Sequence, residues 1–128
     1  MVDLLFIGIG GFIGAVLRYL LGSAVQEFWG RGSQFPLGTM VVNVVGCLVI
    51  GFLSLVAEQK GILSGQDGMF IFVGLLGAFT TFSTFSKDSF ALWSSGSDLQ
   101  ALLNIGLHIV LGLGAVWLGR FLGKRILA

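Results

Sequence analysis

The sequence predicts an all-α membrane protein with four transmembrane helices in a single domain, residues 1–128. Of its 128 residues, 55 % are hydrophobic and only 10 % are charged, and the mean hydropathy is +1.00. A chain this short cannot hide so much apolar surface in a soluble core, so lipid must cover it. The apolar residues also fall into four stretches separated by short polar turns, each with the ~20 residues that cross a ~30 Å hydrocarbon layer.

Three of the predicted spans are uninterrupted. The first, residues 4–25, carries one charged side chain, Arg18, and lacks the basic start and small-residue cleavage site of a signal peptide. The second, residues 37–57, has no charge, and the fourth covers residues 99–120. Because the number of spans is even, both termini are expected on one side of the membrane.

The third span, residues 68–93 with its flanking residues, is too long for a straight crossing. About 29 residues at ~1.5 Å each would give a helix of roughly 43 Å, so the segment must tilt strongly or break. The break is predicted within "GAFTTF", residues 77–82, because Gly77 is permissive and the Thr80 and Thr81 hydroxyls can bond to backbone carbonyls. Non-helical backbone survives at membrane depth only inside protein or beside a polar cavity, which makes this segment a candidate functional site. Freed carbonyls suit a cation and freed amides suit an anion.

Lysine and arginine are almost evenly divided between the two membrane faces. The side of the termini has Lys60, Arg120, Lys124 and Arg125, and the other side has Arg18, Arg31 and Lys87. This weak bias fits a protein that inserts in both orientations, or one whose orientation is set by another signal. The net charge of +1, without a run of one sign, argues against nucleic-acid binding.

The 21 glycines are too many for the loops alone. Several recur at helical spacing inside the spans, namely Gly8, Gly10, Gly11, Gly14, Gly119 and Gly123. Small residues at such spacing allow membrane helices to approach closely. Four short spans enclose little protected interior, so we expect a homo-oligomer, most simply a two-fold dimer. The single cysteine, Cys47, is interpreted as a small packing residue.

Phe82 and Phe85 are three residues apart and project from the same face if the helix resumes after the break. Aromatic pairs at this spacing commonly fill a core or face lipid. The edge of an aromatic ring is positive, however, and can accommodate a small anion where water is excluded. The residues alone leave both interpretations open.

Three segments of the chain together resemble the Fluc (CrcB) family of bacterial fluoride channels. They are "GGFIGAVLRY" (10–19), "PLGTMVVNVVGC" (36–47) and "GAFTTFSTFS" (77–86), and the likeness extends over essentially the whole sequence. The resemblance implies an antiparallel, dual-topology homodimer in the bacterial inner membrane, with two fluoride pathways lined by both subunits. It implies passive, electrogenic export of fluoride, which relieves fluoride toxicity.

The resemblance also implies roles for individual residues. The ring edges of Phe82 and Phe85 would face fluoride, and the Asn43 amide would donate to the ion. A pore for fluoride must also replace the water around the ion, for which Ser83 and Thr84 are candidate hydroxyl donors, and Thr39, one turn before Asn43, is assigned to the same polar track from its spacing. Arg18 would attract anions into a vestibule rather than extend to the interface. Backbone carbonyls of Gly77 and Thr80, with their two-fold mates, would hold a central structural sodium ion that is not transported.

Some residues depart from the family pattern or have no assigned role. Asp88 stands where the family commonly has Glu, and Lys87 and Asp88 are interpreted as solvated at the pore mouth. His108 follows Asn104 by four residues, so both share one face of the fourth helix, either bonding between helices or contributing to the ion path. Gly112 occupies a position where the family often has a hydroxyl residue, so no role is transferred there.

The main alternative is a small multidrug exporter, which also has four spans and can insert both ways. Exporters of that kind use a carboxylate inside the first helix, whereas here Asp3 precedes the span and the charge inside it is Arg18. A non-transporting assembly subunit would explain the glycines but not the polar break. An enzyme is not expected, because the spans contain no carboxylate pair, Cys/His pair or metal-ligand cluster.

Overall fold

The computed structural model describes residues 1–127, which form long helices joined by short turns. The elements are α1 (Val2–Phe28), α2 (Leu37–Lys60), α3 (residues 66–79), α4 (Phe82–Ser94) and α5 (Asp98–Leu127). With α3 and α4 taken as one interrupted span, Gln66–Ser94, the structure has four helices long and apolar enough to cross a membrane. No strand occurs in residues 1–127. The predicted fold class is therefore confirmed, and the helices continue a few residues beyond the apolar stretches.

The helix ends follow ordinary capping chemistry. α2 begins directly after Pro36. Its C-cap is Gly61, which adopts the left-handed conformation with φ 62° and donates its N–H to the Ala57 carbonyl. α5 has Asp98 in its first turn and Lys124 and Arg125 in its last, so its charges complement the helix dipole.

Glycines bring the helices together in two pairs. α1 packs along α3, where a Cβ atom on Gly10 would meet the Phe70 carbonyl oxygen and one on Gly14 would meet the Leu75 carbonyl oxygen. α2 packs along α5 in the same manner. There, a Cβ atom on Gly119 would meet the Leu48 carbonyl oxygen. Backbone contacts this close exclude any side chain, so the predicted packing role of Gly10, Gly14 and Gly119 is confirmed.

The other glycines of the predicted set differ in their surroundings. At Gly123 an added Cβ atom would lie 2.8 Å from Leu55 Cδ2 and at Gly11 4.0 Å from Ala78 Cβ, whereas at Gly8 it would meet nothing within 4 Å. Gly8 therefore has no packing role within this chain, and helical spacing alone does not distinguish it from Gly10.

The third span breaks where the sequence predicts. α3 is α-helical at Gln66–Gly68, π-helical at Met69–Leu76 and α-helical again at Gly77–Phe79. Thr80 (φ −82°, ψ 156°) and Thr81 (φ −150°, ψ 112°) are extended, and α4 starts at the next residue. The break is confirmed, while the π-helix was not predicted, because a wider helical turn leaves no signal in hydrophobic periodicity. π-helical turns are rare and occur frequently at functional sites.

Candidate functional site

Asn43 holds the extended backbone of the break in place. Its Nδ2 donates to the Thr81 carbonyl oxygen at 3.1 Å, and the Thr81 N–H donates to its Oδ1 at 2.8 Å. The carboxamide thus supplies one donor and one acceptor to a peptide that has left the helical ladder. We call this pair of bonds the Asn43–Thr81 clamp. It leaves the second Nδ2 hydrogen available for another acceptor.

Hydroxyl groups satisfy other polar groups around the break. Thr81 is the N-cap of α4: its Oγ1 accepts the Thr84 N–H at 3.2 Å and its O–H donates to Thr84 Oγ1 at 3.0 Å. The Thr80 hydroxyl donates to the Leu76 carbonyl oxygen at 3.1 Å. The prediction of hydroxyl-to-carbonyl bonding therefore holds for Thr80, whereas the Thr81 side chain instead accepts a backbone N–H.

Two carbonyls of the break lose their usual helical partners. The Thr81 N–H, four residues after Gly77, bonds to Asn43, and the Thr84 N–H, four residues after Thr80, bonds to Thr81 Oγ1. In a continuous helix these amides would donate to the carbonyls of Gly77 and Thr80. These are the two carbonyls that the family resemblance associates with sodium.

An open groove of about 520 Å³, here called the break groove, lies between α2, the break and α5. Its lining comprises Asn43, Gly46, Cys47, Ile50, Phe72, Leu76, Gly77, Thr80, Thr81, Phe82, Phe85, His108, Ile109, Gly112, Leu113 and Val116. Five residues of the predicted site therefore meet on one surface: Asn43, Gly77, Thr80, Phe82 and Phe85. No Asp, Glu, Lys or Arg of residues 1–127 contributes to this lining.

The two predicted phenylalanines are adjacent but unequally covered. Their ring centroids are 5.4 Å apart with the planes tilted by 51°. Phe82 is 79 % exposed, whereas Phe85 is half-buried. A large aromatic ring standing this far out of the subunit, beside an open groove, requires lipid or another protein surface to cover it.

A second groove, of about 600 Å³, contains Arg18 and is here called the arginine groove. It is lined by Ala15, Arg18, Tyr19, Gly22, Ser23, Gln26, Gln34, Pro36, Gly38, Thr39, Val42, Thr81 and Thr84. Thr81 borders both grooves, so the clamp lies where they meet. Arg18, Thr39 and Thr84 line the arginine groove and not the break groove, while Ser83 is exposed and lines neither groove.

Asp88 is tied to the arginine groove rather than free in solvent. The Thr39 hydroxyl donates to Asp88 Oδ2 at 2.8 Å and joins α2 to α4. The interpretation of Asp88 as merely solvated at the pore mouth is therefore wrong, since its carboxylate accepts a hydrogen bond from Thr39 on α2. Lys87, its neighbour, is exposed.

A buried polar chain joins α4 to α5. The Asn104 Nδ2 donates to Ser89 Oγ at 2.9 Å, and the Ser89 hydroxyl donates to the Phe85 carbonyl oxygen at 2.8 Å. Asn104 is fully buried, and its bond to Ser89 is a hydrogen bond between helices, the first of the two roles considered for this face of the fourth helix. His108 instead lines the break groove, with its ring centroid 4.5 Å from that of Phe85.

The fold and the two grooves indicate a class of membrane protein. A discontinuous membrane helix, with its irregular backbone beside a groove that carries a few polar groups among aromatic and aliphatic side chains, is an arrangement found in proteins that pass ions or small solutes.

Comparison with known proteins gives the family. Residues 5–120 match the family described as CrcB-like protein, Camphor Resistance (CrcB). The chain is 44 % identical over 128 residues to "Fluoride-specific ion channel FluC 1" of Methanosarcina acetivorans, covering 100 % of this chain and 95 % of that one. It is 48 % identical over 121 residues to "Fluoride-specific ion channel FluC" of Campylobacter jejuni, with coverages of 94 % and 97 %. The FluC protein of Hydrogenovibrio crunogenus is 41 % identical over 125 residues, with coverages of 98 % and 93 %.

The chain belongs to the CrcB family, which confirms the resemblance drawn from the three sequence segments. The named relatives are ion channels, so the prediction that the chain is not an enzyme is also confirmed. With four apolar helices, it is a multi-pass protein of the bacterial inner membrane.

Proposed function

We propose that this protein is a passive, electrogenic fluoride channel that works as an antiparallel homodimer with two pores. The observation that carries the proposal is the break groove, where Asn43, Phe82 and Phe85 converge beside a broken helix in a chain whose relatives are named fluoride-specific channels. The names of the relatives give the ion, and the pathway, the ion-binding groups and the assembly are proposed from the structure.

The break groove suits a small, strongly hydrated anion. The carboxamide of Asn43 keeps one N–H free of the clamp, and the rings of Phe82 and Phe85 present positive edges. With no carboxylate in its lining, the groove does not repel an anion, and with no lysine or arginine it does not hold one too tightly. Conduction requires this balance between entry and release.

The arginine groove is the proposed vestibule. The guanidinium of Arg18 attracts anions, while Thr39 and Thr84 provide hydroxyl groups along the way to the clamp. Ser83, the remaining residue of the proposed polar track, is within 3.3 Å of Thr81 Oγ1 through its own Oγ. These hydroxyl donors replace part of the hydration of the ion on its path.

A structural sodium ion is proposed at the carbonyls of Gly77 and Thr80. Their usual helical donors are diverted, and carbonyl oxygens are hard ligands suited to this cation. One chain offers two such oxygens, whereas a two-fold partner would double the number. The ion would supply a fixed positive charge near the anion path without any titratable group, and it is not itself transported.

The same surface supports the proposed dimer. Phe82 and Gly77 are exposed in a single chain although they border the groove, so a second copy of the chain is the proposed cover. The near-even division of Lys and Arg between the two faces fits copies inserted in opposite orientations.

A small multidrug exporter is not favoured. Asp3 lies in the first turn of α1 and is exposed, and neither groove is lined by an Asp or Glu of residues 1–127. A proton-coupled exporter of that kind needs such a carboxylate.

Anion efflux from liposomes tests the proposal. Purified protein is reconstituted with a K⁺ gradient, and valinomycin is added to carry the counter-charge. We expect rapid fluoride release that requires valinomycin, and little release of chloride under the same conditions. Absence of fluoride release from folded dimeric protein would refute the channel, and proton-driven uptake of organic cations would then be measured in the same liposomes.

Two further measurements test the assembly. Labelling of a single cysteine placed near one terminus of a Cys47→Ser variant, with a membrane-impermeant thiol reagent applied from one side, reports orientation: a labelled and an unlabelled fraction are expected if both orientations are present. Exchange of Na⁺ for a large organic cation during purification should weaken the dimer if the sodium site is correct. A dimer equally stable without Na⁺ would remove that ion from the proposal while leaving the channel in place.

A further inference from the structure

His108 is a titratable group placed against the proposed fluoride path. It lies on α5, lines the break groove, and contacts Phe85 with 4.5 Å between ring centroids and the ring planes tilted by 43°. The chain has one histidine in all. The ring has no role in the fluoride pathway proposed above.

The hydrogen bonds of the ring define its neutral form. Nδ1 is 2.9 Å from the Asn104 carbonyl oxygen, which can only accept, so Nδ1 carries the hydrogen. In the neutral ring, Nε2 is then a bare acceptor. Nε2 is buried and has no hydrogen-bond partner among residues 1–127. Nε2 is therefore an unpaired base on a ring that borders the break groove, although the atom itself is closed off from the open space of the groove.

Protonation of Nε2 would place a positive charge and an unpaired N–H in surroundings dominated by Phe85 and aliphatic side chains. Such a charge is costly unless an opposite charge or an acceptor accompanies it. A fluoride ion beside Phe85 supplies both, because it is negative and accepts a hydrogen bond. The proton and the anion therefore each lower the free energy of bringing the other into the groove.

Two titratable groups face the ring from the helices packed on α5. From α4, the Asp88 carboxylate acts electrostatically on His108 and is itself bonded to Thr39. From α2, the Cys47 thiol lines the same groove. Neither gives Nε2 a hydrogen bond, and because Nε2 is buried, an ion in the groove reaches it only after the ring turns toward the open space.

We propose that His108 takes up a proton together with fluoride in the break groove, so that each increases the occupancy of the other. This inference rests on the proposed function, because it assumes that fluoride enters this groove. The proton comes from solvent and stays on Nε2 while the N–H donates to fluoride. Linkage is reciprocal, so acid conditions strengthen fluoride binding and slow its release from the pore.

A single histidine allows a direct measurement. Protein labelled with ¹⁵N-histidine, with any affinity tag removed, gives one imidazole signal set, which is titrated by NMR in sodium fluoride and in sodium chloride. We expect the ring to be half-protonated at higher pH in fluoride, with a coupling of about five-fold or more. Identical titrations in the two salts would overturn the proposal.

The variant Asp88→Asn separates the ring from the carboxylate. If His108 is the group linked to fluoride, the shift between the two salts persists in this variant. A shift that vanishes would assign the linkage to Asp88 and overturn the proposal.

Flux supplies the second readout. As the pH falls from about 8 to about 5.5, across the range in which histidine titrates, wild-type protein should bind fluoride more tightly and release it more slowly. His108→Gln keeps a hydrogen-bonding side chain without titration, and its flux ratio between the two pH values should be flat whatever its absolute rate. Protein-free liposomes at each pH correct for neutral HF that crosses lipid unaided. No flux at any pH is a failure of the proposed channel, whereas flux with identical fluoride and chloride titrations is a failure of this inference alone.

Discussion

The break groove and the arginine groove meet at Thr81 but are built from different chemistry. The break groove is lined mainly by aliphatic and aromatic side chains, with one amide, two threonines and one histidine, and no Asp, Glu, Lys or Arg of residues 1–127 lines it. The arginine groove has a guanidinium, two glutamines and several hydroxyls. Long-range charge collects ions whereas short, weak contacts discriminate among them. In the proposed channel, the arginine groove would collect the ion and the break groove would discriminate among ions, with a single peptide between them; the variants below test that separation.

Replacement of Asn43 by Ala should have the largest effect. It removes both bonds of the clamp, about 2 kcal/mol of stability, and leaves the Thr81 N–H and carbonyl without partners. Fluoride efflux should fall to the level of protein-free liposomes, with a lower midpoint in thermal unfolding.

Ser54→Ala is the matched control for that change, since the Ser54 hydroxyl bonds only within α2, to the Ile50 and Gly51 carbonyls. It should leave efflux unchanged. Normal efflux in Asn43→Ala would show that the amide is needed neither for the ion nor for the break.

Phe82→Leu and Phe85→Leu should each reduce fluoride efflux roughly three- to tenfold, because a ring-edge interaction is worth about 0.5–1.5 kcal/mol. The double variant should combine both losses, with efflux reduced roughly ten- to hundredfold. Phe90→Leu is the control, because Phe90 is on the same helix and 74 % exposed but lies outside both grooves. If Phe90→Leu were as damaging as Phe85→Leu, exposed aromatic area rather than the break groove would explain the loss.

Arg18→Gln should reduce efflux only several-fold, and mainly at low ionic strength, because screening by salt shortens the reach of the guanidinium to about 10 Å at 0.1 M. Efflux measured over a series of salt concentrations should converge with that of wild type. Arg31→Gln, in the exposed turn before α2, should show little effect at any salt concentration. A salt-independent defect in Arg18→Gln would place the arginine at the discriminating step.

Glu58→Gln should have the smallest effect. The Arg120 guanidinium donates two hydrogen bonds to the Glu58 carboxylate, at 3.0 and 2.8 Å, but the pair is exposed and lies outside both grooves. Exposed ion pairs contribute little. Efflux and the thermal unfolding midpoint should match wild type within error, and a clear loss of efflux would show that the grooves do not contain the whole pathway.

Sequence patterns predict the parts of this structure that depend on composition and local chemistry. Four apolar stretches predict the spans, and glycine followed by threonines predicts the break at Thr80 and Thr81. The family motifs also select Asn43, Phe82 and Phe85, which the fold brings to one groove. Their proposed roles toward fluoride stay predictions.

Other features depend on how the helices are oriented against one another. The bond from Thr39 to Asp88 crosses 49 positions, and the clamp crosses 38. The contact of His108 with Phe85 depends on the rotation of α5 about its axis. Neither periodicity nor spacing within one helix carries such information, so these contacts emerge only from the packed structure.

The clamp also removes an ambiguity that every asparagine has. A free carboxamide can rotate by half a turn and present either its N–H or its oxygen, so it can serve an ion of either sign. Here such a flip would set Nδ2 against the Thr81 N–H and Oδ1 against the Thr81 carbonyl, two repulsive pairs in place of two bonds. The direction of the amide dipole is therefore fixed: Oδ1 is held by the Thr81 N–H, and the free hydrogen on Nδ2 can serve only as a donor, which suits an anion and not a cation.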